Sequence, residues 1–373
     1  MVEGFFDEIP DSRQDWKVLH RIDEILTVVM CGVSAGESTI HGIYTFSQIK
    51  EDWLREKVGL KLPNGLPSYD TIRRTLGMID PKVFQRLFIK WIEEKLSLKE
   101  GSYISIDGKT VKGSGDDARN IPPIHLLHAY SHELGIVIGQ KECRTEKKNE
   151  ITACPELLDM LKIRGAVITA DAMMCQKEIC RKISEKRCGY LLAVKNNHPT
   201  MLEEIKTLFK GERRKTCQVF ETNDKGHGRI ERRTYYLDTD VNWFADLKEW
   251  KNLAAFGKCE SHVTCRGKET VESRYFICSI DDVMDFAGAV RSHWAVENNL
   301  HWCLDVIFKE DECPILDRNT AENIATIRRI VYNRIKMQLK PNEQLCFGKR
   351  SCMYDDDYRL KIMFSHETVK SFL

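Results

Sequence analysis

The sequence has no apolar run long enough to cross a membrane. Its longest near the start, residues 25–31, falls far short of the roughly 20 residues a spanning helix needs, and no cleavable leader pattern precedes it. It also lacks charge of one sign, because 57 basic side chains stand against 56 acidic ones for a net +1. A partner rich in phosphate is neither indicated nor excluded by that total, since binding follows local potential. There is no Cys-x-x-Cys pair. The fourteen cysteines are scattered singly from Cys31 to Cys352, and neighbours such as Cys175 with Cys180 or Cys259 with Cys265 lack the second half of a zinc site. These features exclude a secreted disulfide scaffold and point to reduced thiols in the cytoplasm, with no membrane partner. No internal repeat or low-complexity segment interrupts the chain. What is present, 42% hydrophobic and 30% charged residues over 373 positions, suffices for one large core or two to three modest domains.

The first hundred residues carry helical periodicity. Val18, Leu19, Ile22, Ile25, Leu26 and Val29 form a stripe that predicts a helix over 16–33, and a second helix is expected over 41–57. After the Pro63-Asn64-Gly65 turn, Ser68 is placed to cap a short helix bearing Arg73 and Arg74, and Asp80-Pro81 to start another over 81–96. From about residue 101 the period changes to two. Strands are expected at 103–107, ending in Asp107 with a turn at Gly108-Lys109, then at 124–130 and 136–143. A helix over 155–163, a strand over 166–170, a helix over 176–186 and a strand over 190–194 follow, then a helix over 201–210. Residues 216–280 read as a β-rich insertion. Within it, 223–233 is an exposed hairpin tip whose Lys225 and Arg229 suit phosphates, or else a solvated loop. Helix returns from 282, and a last one over 321–339 is expected to turn Ile324, Ile327, Val331 and Ile335 inward and Arg328, Arg329 and Arg334 elsewhere.

Asp107 and Asp171 each end an apolar strand, so they meet if those strands are neighbours. Two adjacent carboxylates repel, and they share a proton or hold a cation. Oxygen-only ligands select Mg²⁺, with Mn²⁺ able to substitute. Glu297 is the choice for a third carboxylate, because it follows the sheet on a helix with His293 and His301 one turn either side. Such a set fits two ions about 4 Å apart on a scissile phosphate. Taken singly, each of these residues is as well explained as a turn Asp or a solvated Glu.

Together the motifs carry a resemblance. Ile106-Asp107-Gly108-Lys109-Thr110, Lys148-Asn149-Glu150-Ile151, Thr169-Ala170-Asp171-Ala172-Met173, Ala193-Val194-Lys195-Asn196-Asn197 and Arg291-Ser292-His293-Trp294-Ala295-Val296-Glu297-Asn298 resemble the H-repeat-associated insertion-sequence transposases, a group of DDE transposases. The likeness covers almost the whole chain, and Asp11-Ser12-Arg13 resembles the start of that group's N-terminal helical domain. It implies an α/β fold with a ribonuclease H-like mixed sheet flanked by helices. The domains would be an N-terminal helical domain at 1–98, a catalytic domain at 99–210 and 282–345, a β-rich insertion at 211–281, and a tail at 346–373. It further implies Asp107, Asp171 and Glu297 as catalytic and metal-holding triad, and Mg²⁺-dependent cleavage and strand transfer at terminal inverted repeats of double-stranded DNA by a homodimer or larger assembly. Where related transposases place Tyr, Arg and Lys around the glutamate, this chain has Val290, His293 and Leu304. A hairpin mechanism therefore does not carry over.

Further DNA contacts are expected from Lys195, Arg291 and His293 beside the metals, and from Arg73 and Arg74 on the capped helix. Trp294 and Trp302 are assigned to packing rather than base stacking. Asp305, Glu310 and Asp311 are read as a solvated helix end and loop rather than as auxiliary carboxylates. Two other functions fit the same residues. One is a metal-dependent nuclease that does not join strands, the other a defective or domesticated copy that only binds DNA.

Overall fold

The computed structural model describes residues 5–14, 16, 18–95, 98–143, 150–211, 215–226, 228–265, 267–340 and 343–365. Lys148 and Asn149 of the second quoted motif, and the expected end of a helix at Leu96, lie outside them. Five helices come first: α1 (Ile22–Ser34), α2 (Ile40–Ile49), α3 (Glu51–Glu56), α4 (Tyr69–Met78) and α5 (Pro81–Lys95). Their starts are set by local chemistry. The Thr39 hydroxyl accepts from Gly42 N–H, Ser68 from Thr71 N–H, and Asp80 from Lys82 N–H, so free amides of the first turns are satisfied. Two expectations shift here. The first helix begins at Ile22 rather than 16, leaving Trp16 and Leu19 exposed instead of in its stripe. The helix expected over 41–57 breaks at Lys50, whose ammonium reaches Asp356 at 2.7 Å.

A nine-stranded mixed sheet forms the centre: β1 (Tyr103–Thr110), β2 (His125–Ser131), β3 (Ile136–Glu142), β4 (Val167–Ala170), β5 (Gly189–Val194), β6 (Gln218–Gly226), β7 (Arg229–Asp238), β8 (Ala255–Cys265) and β9 (Lys268–Cys278). Its order is β3-β2-β1-β4-β5-β9-β8-β7-β6. β1, β2 and β3 make an antiparallel meander, while β4 and β5 run parallel to β1, joined through α6 (Glu150–Met160) and α7 (Lys177–Glu185), and α8 (Pro199–Lys210) follows β5. Three meander strands followed by helix, strand, helix, strand is the ribonuclease H-like arrangement. Gly108 and Lys109 are not a turn: β2 continues to pair with them as far as Thr110 opposite His125, so β1 runs three residues past Asp107.

The strands of residues 211–281 are not stacked apart from this sheet. β9 pairs antiparallel with β5, Leu192 opposite Ile277, and β8, β7 and β6 add outward as long hairpins. One apolar cluster joins the N-terminal helices to one face of the sheet, and a second, built around Tyr235, Phe276 and Phe286, packs α9 (Val283–Val296) on the other.

α10 (Arg318–Gln338) is buried on every side rather than on one stripe. Arg328, Arg329 and Arg334, expected to project away from the core, lie within it because each finds an acceptor there: Ser38 O for Arg328, Glu310 for Arg329, and Ile362 O for Arg334. Two short helices, α11 (Leu345–Tyr354) and α12 (Asp356–Phe364), then close over α1 and α10. All fourteen cysteines are free thiols. No helix among the described residues is long and apolar enough to cross a membrane.

Candidate active site

The register of β1 against β4 decides the first feature of the site. Ile106 is level with Ala170, so the next residues, Asp107 within β1 and Asp171 just past the end of β4, lie at one height on neighbouring parallel strands about 4.8 Å apart. Glu297 approaches from across this edge, where α9 ends and the backbone widens into a π-helical turn over Glu297–His301. Such insertions re-aim side chains and recur at functional sites. The stripe His293, Glu297 and His301 does face the strand ends. His293 Nδ1 lies 3.3 Å from Thr169 Oγ1 on β4, and His301 Nδ1 lies 3.5 Å from Asp107 Oδ2 on β1. A cavity of about 450 Å³ has Asp107, Asp171, Glu297, Lys195 and His293 in its wall.

Electrostatics separate the two aspartates. Burial, reinforced by the like charges of Glu150, Glu297 and Asp171, pushes Asp107 up to about 7, although Gly108 N–H donates to it at 2.9 Å. Burial acts on Asp171 in the same direction, yet Lys195 Nζ at 2.8 and 3.1 Å from its two oxygens outweighs it and holds the carboxyl below its ordinary value. Lys195, expected against a DNA phosphate, is thus placed on Asp171. Burial lowers His293 and His301 to about 4 each, so both are neutral hydrogen-bonding groups at pH 7.

As placed, no three His, Cys, Asp or Glu side chains among the described residues converge on a common point for an ion. The donor chemistry nevertheless suits a hard divalent cation: three carboxylates line one cavity, one is left uncompensated, and an ammonium already sits on another. Asp107, Asp171 and Glu297 are the residues that would hold it.

A second cavity, about 640 Å³, continues from Glu297 onto the β6–β9 hairpins and is walled by Arg229, Arg233, Arg274 and Trp294. Trp294 is not simply packing. The guanidiniums of Arg274 at 4.6 Å and Arg233 at 5.1 Å both lie over its ring, two residues that sequence reasoning missed because they sit on strands far from the helix. Trp302, also assigned to packing, is exposed. Arg291 is paired with Asp224 at 3.2 Å and Arg229 with Glu231 at 2.9 Å, while Lys225 is exposed near the tip of the β6–β7 hairpin. Arg73 and Arg74 are exposed on α4 and are in the wall of neither cavity.

The acidic run after Glu297 has a different role from either expectation. Glu310 is fully buried, with Arg329 donating to it, and Lys109 reaches Asp305 at 2.6 Å and Asp311 at 3.2 Å. Although burial works against ionisation, Arg329, Arg328 and Lys109 hold Glu310 down to about 2. Glu310 is thus a buried structural ion-pair partner, while Asp305 and Asp311 stay partly exposed to solvent as they pair with Lys109, and none of the three is in the wall of the cavity.

Fold and site together define a class, and sequence comparison names it. Residues 4–92 match the family described as DDE_Tnp_1-associated, and residues 99–334 match the Transposase DDE domain. The chain belongs to the DDE transposases. It is 38% identical over 345 residues to the "Putative transposase YncI" of Escherichia coli O157:H7, covering 89% of this chain and 86% of that one. It is likewise 38% identical to the "H repeat-associated putative transposase YhhI" of Escherichia coli K12, covering 87% of each. These relatives make it an insertion-sequence transposase. Among solved structures, a piggyBac transposase synaptic complex with hairpin DNA aligns over 98% of this chain and 79% of its own at a TM-score of 0.43 and 12% identity.

Proposed function

We propose that this transposase cuts DNA at the terminal inverted repeats of its element and joins the freed 3′ ends to target DNA, with Asp107, Asp171 and Glu297 as the catalytic carboxylates. The observation that carries the assignment is the shared height of Asp107 and Asp171 on paired parallel strands, with Glu297 in the wall of the same cavity. Two Mg²⁺ ions, or Mn²⁺ in their place, would supply Lewis-acid stabilisation of the phosphate oxygens and lower the pKa of the attacking hydroxyl or water. In the cleavage half, a water oxygen bonds to phosphorus and the bond to the 3′ oxygen breaks, leaving a 3′-hydroxyl. In the joining half that hydroxyl attacks a target phosphodiester and displaces its 3′ oxygen.

The chain's own groups prepare this chemistry. Lys195 neutralises Asp171 before loading and, once released, is within reach of a phosphate beside it. Neutral His293 orients against Thr169 without adding charge. Arg291, Lys225, Arg229, Arg73 and Arg74 are proposed phosphate contacts. Residues 1–98 are proposed as the end-binding unit and 211–281 as the insertion that extends the DNA track, on a catalytic unit of 99–210 and 282–345 followed by the 346–373 tail. Two or more copies are proposed to assemble on paired ends.

Purified protein with Mg²⁺ and DNA bearing the repeats that flank its gene should yield nicked and strand-joined products. Asp171→Asn should reduce both by at least about a hundredfold, the scale on which removal of one preorganised electrostatic group acts. Full cutting by the variant would overturn the site. Nicks without joints would indicate a nuclease, and binding without cutting a DNA-binding copy.

A further inference from the structure

The triad and its cavity leave two histidines unexplained. His128 stands opposite Asp107 on β2, so the two side chains leave the same face of the sheet as neighbours. His301 is the last residue of the π-helical turn that Glu297 opens, and its Nδ1 lies 3.5 Å from Asp107 Oδ2. The two imidazoles meet edge to face, with ring centroids 5.6 Å apart.

Their protons are fixed from the far end. A guanidinium has no lone pair to offer, so in the 3.0 Å contact between Arg329 Nη2 and His128 Nε2 the arginine donates and the histidine accepts. Glu310 holds the same guanidinium in place. His128 is therefore neutral, with its proton on Nδ1. That N–H is buried without a hydrogen-bond partner among the described residues, and so is Nε2 of His301 on the neighbouring ring. A donor and an acceptor left open side by side complement each other, whereas each left alone carries its full desolvation penalty. With Nε2 accepting, the His301 proton sits on Nδ1, the nitrogen beside Asp107. Gly108 N–H already donates to Asp107 Oδ1 at 2.9 Å. A second donor at Oδ2 gives each carboxylate oxygen one bond from the protein, which fixes the plane of the group and leaves its remaining lone pairs for the cavity.

We propose that Arg329, His128 and His301 form a hydrogen-bonded relay with His301 as the positioning residue of Asp107. It runs from His128 Nδ1–H to His301 Nε2, directly or through one water, and from His301 Nδ1–H to Asp107 Oδ2. The inference rests on the reading of Asp107 as a metal-holding carboxylate. No proton is transferred; the relay selects two tautomers and one orientation. Packing alone would be served by apolar rings at both positions and would set no requirement on which nitrogen carries the proton.

The test begins with the full metal-free chain labelled with ¹⁵N-histidine, in which two-bond proton–nitrogen correlation spectra distinguish the tautomers of a neutral ring. His128 and His301, assigned from His128→Gln and His301→Asn, should both carry the proton on Nδ1. In His128→Gln, whose amide oxygen still accepts from Arg329, His301 should shift toward the Nε2–H form. A wild-type His301 protonated on Nε2, or one whose tautomer ignores His128→Gln, overturns the relay. Mn²⁺ binding, followed by loss of the free-ion electron spin resonance signal, reads the consequence at Asp107. His301→Phe keeps a ring but no donor and should raise the Mn²⁺ dissociation constant about tenfold or more, as for loss of groups that orient a metal ligand. His301→Asn, whose amide nitrogen falls near the Nδ1 position, should recover part of the binding. A structural role predicts a lower melting temperature for His301→Phe with wild-type Mn²⁺ affinity, and that result overturns the proposal. Asp171→Asn separates the two levels of the argument. If it weakens Mn²⁺ binding and His301→Phe does not, the positioning role is wrong and the triad stands; if the wild type binds none, or neither variant weakens it, the site reading falls and this inference with it.

Discussion

Glu310 is fully buried and Asp107 is half-buried in the wall of the cavity, and their surroundings treat the two carboxylates in opposite ways. Around Glu310, two guanidiniums and the Lys109 ammonium outweigh burial and keep the group ionised down to about 2. Around Asp107, burial is met by three further carboxylates, and the group is pushed up to about 7. Lys109, which helps compensate Glu310, is only two residues along β1 from Asp107 and on the same face of the strand, yet its ammonium turns to Asp305, Asp311 and Glu310. The difference separates charge that holds a fold together from charge withheld for a ligand. A buried ion pair is complete in itself. An uncompensated carboxylate costs folding energy until a cation arrives.

The comparison breaks most visibly at Glu310. Glu310→Ala would leave Arg328 and Arg329 buried without their counter-charge, which should lower unfolding free energy by about 3–5 kcal/mol in denaturant titration. Replacing Glu310 and Arg329 together by leucine should restore much of that loss, since an apolar pair needs no partner charge. If the single variant unfolds at the wild-type denaturant concentration, the ion pairs do not hold α10 in place.

A smaller effect is expected at Asp107, with the opposite dependence on pH. Its folded value near 7 exceeds the ordinary 3.8, so between those values the folded protein keeps a proton that the unfolded chain has released. Stability of the metal-free protein should therefore fall as pH rises from about 4 to 7, by a few kcal/mol on the order given by roughly 1.4 kcal/mol per pH unit. Glu310 acts the other way: its contribution is present above its ordinary 4.5 and is lost as pH falls through about 2. Asp107→Asn should flatten the slope between pH 4 and 7 in chelator, measured by urea unfolding. Equal slopes in the two proteins would place Asp107 in an ordinary environment and remove the contrast.

The least effect belongs to exposed charge. Arg73 lies 3.5 Å from Asp70 on the surface of α4, and Arg74 is exposed beside it. Alanine at both should leave folding unchanged and weaken binding to the element's ends. The slope of log affinity against log salt should decrease by about one for each arginine that meets a phosphate. An unchanged slope would take α4 out of the DNA interface and leave the contacts to the hairpins and the cavity.

Local rules written into the sequence determined a good deal. Ser68 and Asp80 cap their helices because a side-chain oxygen near free amides needs no distant partner, and alternation located the meander because it depends on neighbours along the strand. Asp107 and Asp171 stood out for the same reason, as acids ending apolar runs. What only the tertiary structure decided are the partners of charged side chains. Arg329 meets His128 across 201 residues, Glu150 and His125 close on Gly108 from a helix and a neighbouring strand, and the two arginines over the Trp294 ring come from β7 and β9. The β6–β9 strands likewise gave no local sign that they would extend the same sheet rather than stand apart, since an edge pairing is chosen by the strand it meets. Periodicity and capping act over one or two turns, but the compensation of a buried charge depends on which distant segment the fold brings within about 4 Å, and no spacing in the chain encodes that distance.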